Sequence, residues 1–566
     1  MKALPRVAVS IVMLLGILSA ASQGEDMRRR KKLIATGWDN ADTTRLRENL
    51  TEMEKRPFDG VVIEVTGQID AKRRCHLGTT FSSEKWQRQW FQKPLEDLKV
   101  CRFKRLTDNF VLVGANPGNV DWFDDEGWAT VVEHWRIAAW LVKQSGLKGL
   151  LFDPEPYTPP HSQFAYPAQP QKDKHSFTEY CAKVRQRGGE VMKAVAEEYP
   201  DIVLFCYFMN SVVSHATGQS DAGAVLEREG YGLLPAFFDG WLDAAPPTVT
   251  MVDGCEGAYR YNSALEYLEA GTAMRGDCQE LVSPANRAKY RAQVQVGFGM
   301  YLDAYWNPKT SPWYVDGLGG PRVDRLRENV RTALRVADEY VWVYGEKFRW
   351  WPTPNKSVKE QSWDEALPGC ERVLALARNP AEYARERIAA MKAGSKIENL
   401  ARNGDFGSDK AADHQGTIET WKDDRPPAGW SAWQDDSSKG TFTWDRETGA
   451  AAKGSARAQN VANGCFTQGV PVKPGQTYAV QGACRVQGKG KAWIRVRWQT
   501  ADGRWTLEEL DKIIPPRRGS GEWGEMFSVV DVPQGAGRLV ILLCIVGRTG
   551  QQDAAWFDDV CLYKIE

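Results

Sequence analysis

Gly149-Leu-Leu-Phe-Asp-Pro-Glu-Pro-Tyr157 is the stretch whose reading decides the fold. Leu150, Leu151 and Phe152 form an apolar run short enough for a buried strand, and Pro154 and Pro156 stop it. Side chains alternate along a strand, so Asp153 and Glu155 leave its end on one face. Two carboxylates side by side repel, which raises the pKa of one and sets a proton donor beside an ionised partner. Glycosidic bonds are cleaved by such pairs. An Asp-Pro turn followed by a solvated acid has the same local sequence, so the surrounding architecture has to choose between the two.

Working outward, apolar strand patterns alternate with helical ones from Lys32 to about residue 390. Strands are predicted at 33–38, 58–65, 109–115, 149–153, 202–208, 248–253, 295–305 and 340–344. Helices are predicted at 43–55, 128–145, 177–198, 323–339 and 363–378, with helical stretches running to about 242 and 291. Eight strand–helix units over that length predict a (β/α)8 TIM barrel. An open doubly wound sheet is the runner-up, but no GxGxxG follows the first strand.

Barrel sites form at the C-terminal ends of the strands. Those ends carry carboxylates, amides and aromatic rings, with no cluster of histidine, cysteine or serine. Carboxylates transfer protons, amides bind hydroxyls and rings stack on sugar faces. The catalytic candidates are Glu155, Asp153, Asp303 and Glu256. Trp38, Asp39, Asn116, Tyr157, Tyr207, Asn210, Trp306, Glu346 and Trp350 are the substrate-binding candidates. Glu346, beside Lys347 and Arg349, also fits a structural ion pair.

Residues 32–390 resemble a TIM-barrel glycoside hydrolase. In clan A of those enzymes strand four ends in Asn-Glu-Pro; Glu155-Pro156 matches, with Pro154 where the clan has Asn. In chitinase-like family 18 barrels strand four ends in Asp-x-Glu, which Asp153-Pro-Glu155 matches, while the upstream Asp-Gly-x-Asp is absent. Both resemblances imply that Glu155 is the general acid. The clan A comparison implies a nucleophile at the end of strand seven, where this chain has Asp303.

After Lys396 helical periodicity gives way to short strands between Gly, Pro and Asp turns, as in a β-sandwich. Four spaced motifs, Asn399–Phe406, Gly429-Trp430, Val472–Tyr478 and Trp556–Leu562, occur in the order seen in CenC-type carbohydrate-binding modules (families four and nine). The resemblance covers about 399–564 and implies an all-β jelly-roll sandwich over 397–566. It also implies a structural calcium near Asp405 and Asp559, whose oxygens are suitably hard ligands. Trp421, Trp433, Trp444, Trp498, Trp505 and Trp523 are available for stacking on glycan.

The 73 basic and 73 acidic residues balance, which argues against nucleic acid as a partner. Six histidines without His-x-His or His-Glu-x-x-His spacing argue against metal-dependent hydrolysis, so no cofactor is expected for catalysis. Residues 1–24 read as a secretory signal peptide: Lys2 and Arg6 precede an apolar run to Leu18 and then small residues, with cleavage after Ala21 or Gly24. The basic run Arg28–Lys32 leaves a signal anchor as the alternative. No later stretch is a membrane span, and a secreted, periplasmic or cell-surface location follows. Export permits disulfides; the eleven cysteines are odd in number and form no CxxC, and the sequence does not decide between the candidate bridges Cys465/Cys484 and Cys544/Cys561 and others. The expectation is a secreted glycoside hydrolase of poly- or oligosaccharides with a carbohydrate-binding module. The alternative is a non-catalytic glycan-binding protein on a degenerate barrel.

Overall fold

The computed structural model describes residues 31–158, 162–412, 418–420, 425–516 and 521–566. The expected signal peptide and Trp421 lie outside the described residues. The chain divides into two compact units, Met1–Arg378 and Asn379–Glu566.

The first unit is built on parallel strands: β1 (Lys32–Gly37), β2 (Gly60–Glu64), β3 (Phe110–Gly114), β4 (Gly149–Asp153), β5 (Val203–Cys206), β6 (Thr250–Asp253), β7 (Val294–Val296), β8 (Phe298–Tyr301) and β9 (Tyr340–Gly345). They pair in the order β7-β6-β5-β4-β3-β2-β1-β9-β8. Only Gly297 separates β7 from β8, so one run of chain pairs with β6 through its first half and with β9 through its second. The result is a nearly closed parallel barrel, which fits the expected architecture. Each predicted strand is present. Buried parallel strands must be apolar almost throughout, and that makes them visible in a sequence.

Rings fill the barrel. Phe110, Phe205 and Tyr340 pack edge to face or tilted at 5.5–5.7 Å near the strand starts. Nearer the strand ends Tyr207 stacks on Trp342 at 4.4 Å, and the Trp342 indole donates to the Gly254 carbonyl at 2.8 Å. The outer helices carry their own start signals. Asp124 caps Asp125–Ser145, and Ser176 with Glu179 forms a capping box on Phe177–Glu198. Sequence reading missed helix Gln92–Val100 and the hairpin 66–68/74–76. It also ran strand seven too far: the strand ends at Tyr301 and a short helical turn, Asp303–Trp306, follows.

In the second unit two five-stranded antiparallel sheets enclose Phe466, Ile494, Leu543, Phe557 and other apolar side chains. One runs 431–434, 463–471, 538–546, 491–499, 512–514 and the other 441–445, 455–459, 554–564, 477–487, 524–531. This fits the expected β-sandwich. All eleven cysteines are free thiols. The pairings read from the sequence are not formed: Cys465 and Cys544 sit opposite each other in the first sheet, and Cys484 and Cys561 lie in the second, all as free thiols. Of the candidate stacking tryptophans, Trp433 and Trp505 are exposed, Trp444 and Trp523 are half-buried and Trp498 is core.

Candidate active site

At the C-terminal ends of the barrel strands lies a cavity of about 490 Å³. Gly37 floors it where β1 and β9 approach closely: its φ is +140°, and a Cβ there would lie 2.0 Å from the Gly345 carbonyl oxygen, so only glycine fits. Five carboxyl side chains line it: Glu64, Asp153, Glu155, Glu256 and Glu346. The rings of Trp38, Tyr157, Tyr207, Tyr259, Tyr301, Trp313 and Tyr344 complete the wall.

Asp153 ends β4, and its Oδ1 accepts the Glu155 amide at 3.0 Å. Asn116 fixes the segment that follows, donating to the Glu155 carbonyl and accepting the Tyr157 amide, each at 2.9 Å. This clamp turns the Tyr157 hydroxyl onto both Asp153 Oδ2, at 3.0 Å, and Glu155 Oε2. A phenol has one proton and can donate to only one of them. The other contact is favourable when that carboxyl carries a proton and donates to the phenol oxygen. Asp153 is suited to that part: burial first, and then the charge of Glu155, push its pKa up to about 7 against the pull of the Glu155 amide and Tyr157.

Glu256 reaches the cavity through an unusual bend. Asp253 at the end of β6 is fully buried and accepts the amides of Met209 at 3.0 Å, Ser211 at 2.9 Å and Cys255 at 3.3 Å. Cys255 then takes the left-handed region with φ +41°, a conformation a non-glycine residue adopts only when its surroundings impose it. Glu256 follows at once and faces Glu155 and Asp153. Burial, followed by those two charges, pushes its pKa up to about 8, with no hydrogen bond acting to lower it.

Glu346 is also raised, mainly by burial, against the Tyr301 hydroxyl that bonds to it.

The other sequence-derived candidates lie off the cavity lining. Asp303 is 0% exposed; Oδ2 accepts the Glu346 amide at 2.9 Å and Oδ1 lies 3.4 Å from Lys347 Nζ. The helical turn after β8 directs it inward, so it positions Glu346 and does not face a substrate. Asp39 is buried in a two-pronged ion pair with Arg45 at 2.8 and 2.9 Å. Trp350 is core, edge to face on Phe58 at 4.9 Å. Trp306 packs on Phe348 at 5.2 Å beneath Lys347 and Lys359. Asn210 is buried at the start of a 3-10 helix. Asn116 acts by positioning, while Trp38, Tyr157, Tyr207, Glu346, Asp153, Glu155 and Glu256 do line the cavity.

Glu64 and Tyr344 end strands and were legible by position. Tyr259 and Trp313 lie beyond strand ends, where periodicity gives no signal.

In the second unit burial first, and then the charges of Asp559 and Asp405, lift Asp558 to about 6. Among the described residues no group of three or more His, Cys, Asp or Glu side chains converges to hold a metal ion. The side chains of Asp405 and Asp559 therefore fall short of a calcium site by themselves. No helix among the described residues is long and apolar enough to cross a membrane.

No family model matches the chain, and no curated protein does. Solved structures give partial likenesses. The enzymatically active domain of bacteriophage CBA120 tailspike protein 4 is 16% identical over 29% of this chain, which spans 21% of that one, with a TM-score of 0.22. The module TmCBM61, solved with β-1,4-galactotriose, is 15% identical over 30% of this chain and 99% of its own, with a TM-score of 0.21. An arabinose-bound MgGH51 α-L-arabinofuranosidase is 14% identical over 29% of this chain and 27% of its own, with a TM-score of 0.21.

Proposed function

We propose that this chain is a secreted glycoside hydrolase acting on a poly- or oligosaccharide, with a (β/α)8 catalytic barrel and a jelly-roll carbohydrate-binding module. The observation that carries the reading is Glu256. It faces Asp153 and Glu155 from within an aromatic-walled cavity, and its pKa of about 8 leaves it protonated at neutral pH. Glycoside cleavage needs one carboxyl that holds a proton and one that does not.

In this reading Glu256 donates its proton to the leaving-group oxygen as the glycosidic bond breaks. Glu155, hydrogen-bonded by Tyr157, is the ionised partner that stabilises or attacks the developing cation at the sugar carbon. Asp153 keeps its own proton on the Tyr157 oxygen, which leaves the phenolic hydrogen free for Glu155. Relative to the sequence expectation the roles are exchanged: Glu155 becomes the carboxylate and Glu256 the acid. Trp38, 55% exposed, and Tyr157, 60% exposed, stand ready to stack on sugar rings.

Reducing-sugar release from a polysaccharide panel tests this with wild type, Glu155→Gln and Glu256→Gln. Both variants should lose release. On an aryl glycoside whose leaving group needs no proton, Glu256→Gln alone should recover. Release by either variant at the wild-type rate from the polymer sinks the assignment.

A calcium at Asp405 and Asp559 is a separate proposal, with backbone carbonyls supplying the remaining oxygens. A melting temperature unmoved by EDTA rejects it.

A further inference from the structure

The cavity is one-sided in charge. Glu64, Asp153, Glu155, Glu256 and Glu346 line it, and no lysine, arginine or histidine does. Lys347 lies against Asp303 and its charge also acts on Glu346, Arg260 stacks on Trp313 at 4.4 Å, and His76 lies 3.7 Å from Glu64; none of the three is in the lining. Glu256 has no hydrogen-bond partner among the described residues and is left for whatever enters.

Two ligand classes are poorly matched. A uronate or sulfated sugar would bring further negative charge to carboxylates that already repel each other. A metal ion needs ligands that converge, and no such group exists among the described residues. What suits separated carboxylates between ring faces is positive charge distributed along a ligand with flat apolar faces. Ammonium groups also gain from tyrosine and tryptophan faces.

We propose that the cavity takes a glycan carrying free primary amines, a de-N-acetylated hexosaminyl polymer, in preference to neutral or acidic glycans. This rests on the glycan-binding reading of the same site and goes on to name the substrate class. An ammonium beside Glu64 and Glu346 favours the charged form of Glu346, so binding releases a proton there and leaves Glu256 its own for the leaving-group oxygen. The groups that set this response are Glu64, Glu155, Glu346, Asp303 with Lys347, and the hydroxyls of Tyr157, Tyr207, Tyr259, Tyr301 and Tyr344.

The test is calorimetric titration of the full chain at pH 5.5 with glucosamine tetramer, its fully N-acetylated counterpart, a galacturonate tetramer and spermidine. The glucosamine tetramer should bind about tenfold tighter than the acetylated one at low salt, and the gap should narrow at high salt. Enthalpies in buffers of different ionisation heat should show proton release. The double variant Glu64→Gln, Glu346→Gln, checked for a native melting transition, should lose most of the preference. Equal binding of acetylated and free-amine tetramers overturns this inference while leaving the hydrolase reading intact. Stronger binding of galacturonate overturns it too, as does spermidine binding tighter than the tetramer. A preference that survives the double variant places amine recognition away from Glu64 and Glu346 and also overturns it. No binding or cleavage of any glycan removes both readings together.

Discussion

The two ends of the barrel treat their carboxylates in opposite ways. At the strand starts the buried acids Asp59 and Asp108 each have a cation. Asp59, just before β2, pairs with Arg378 at 2.8 Å and accepts the Leu33 amide at 3.0 Å. Asp108, just before β3, meets Lys32, the Thr107 hydroxyl and the Tyr340 hydroxyl. Burial alone would raise Asp108, but these partners prevail and its pKa is lowered. At the strand ends Asp153 and Glu256 face one another and Glu155, and theirs are raised. The same residue types thus hold one end together and load the other with unfavourable charge. Separating stability from chemistry in this way is what a parallel barrel allows, since the starts and ends of its strands are different surfaces. Stability given up at the cavity is available to catalysis.

The largest effect expected from breaking this contrast is at the cavity. Glu155→Gln or Glu256→Gln should lower kcat/KM by about 10²–10⁴-fold, the usual worth of a positioned acid or base. Neither should lower the melting temperature, because Glu155→Gln relieves its repulsion with Asp153 and Glu256, and Glu256→Gln breaks no hydrogen bond. A variant that unfolded more easily would mean that these acids are structural after all.

Arg378→Met probes the other end. Stranding buried Asp59 should cost about 3–5 kcal/mol, measured by urea unfolding, while the activity per folded molecule stays near that of wild type. Lost activity in the folded variant would show that the two ends are coupled.

A smaller effect concerns pH. Asp153 and Glu256 hold protons in the folded chain up to about 7 and 8, well above their ordinary carboxylate values. Between those limits the folded state binds more protons than the unfolded one, so their contribution to stability falls as pH rises through the window. Asp108 behaves in the opposite sense: its contribution is present above the ordinary carboxylate value and is lost as pH falls through its lowered pKa. Melting temperatures of Glu256→Gln minus wild type should therefore grow from pH 5 to pH 8.5, and those of Asp108→Asn should approach wild type only in acid. Parallel curves for the two variants would erase the contrast.

The smallest effect sharpens it. Asp153→Asn removes one of the charges that raise Glu256, so the alkaline limb of kcat should move down by about one pH unit or less. A limb that does not move would assign it to another group.

The barrel strands were legible because chain buried on both faces has to be apolar. The pair Asp153 and Glu155 was legible because alternation along β4 and the flanking prolines fix where they emerge. Asp303 was misplaced because its direction depends on a helical turn beginning two residues after β8. Once inside, it is held by the Glu346 amide and Lys347. Trp350 was misplaced because an aromatic residue near a strand end reads the same whether it lines a cleft or packs on Phe58. Tyr259 and Trp313 went unseen because loops bring them in without any periodicity.

By itself, then, the sequence determined the alternation of strands and helices, the change to a sandwich and the acids at the end of strand four. Local chemistry decides each of these: apolar period, turn residues and side-chain alternation act over a few neighbours. Only the tertiary structure decided that Glu256, brought in by the bend at Cys255, faces Asp153 and Glu155 while Asp303 turns away. That outcome depends on charges about 100 residues apart in the chain meeting in one cavity, where burial and repulsion set their protonation. No local pattern records it.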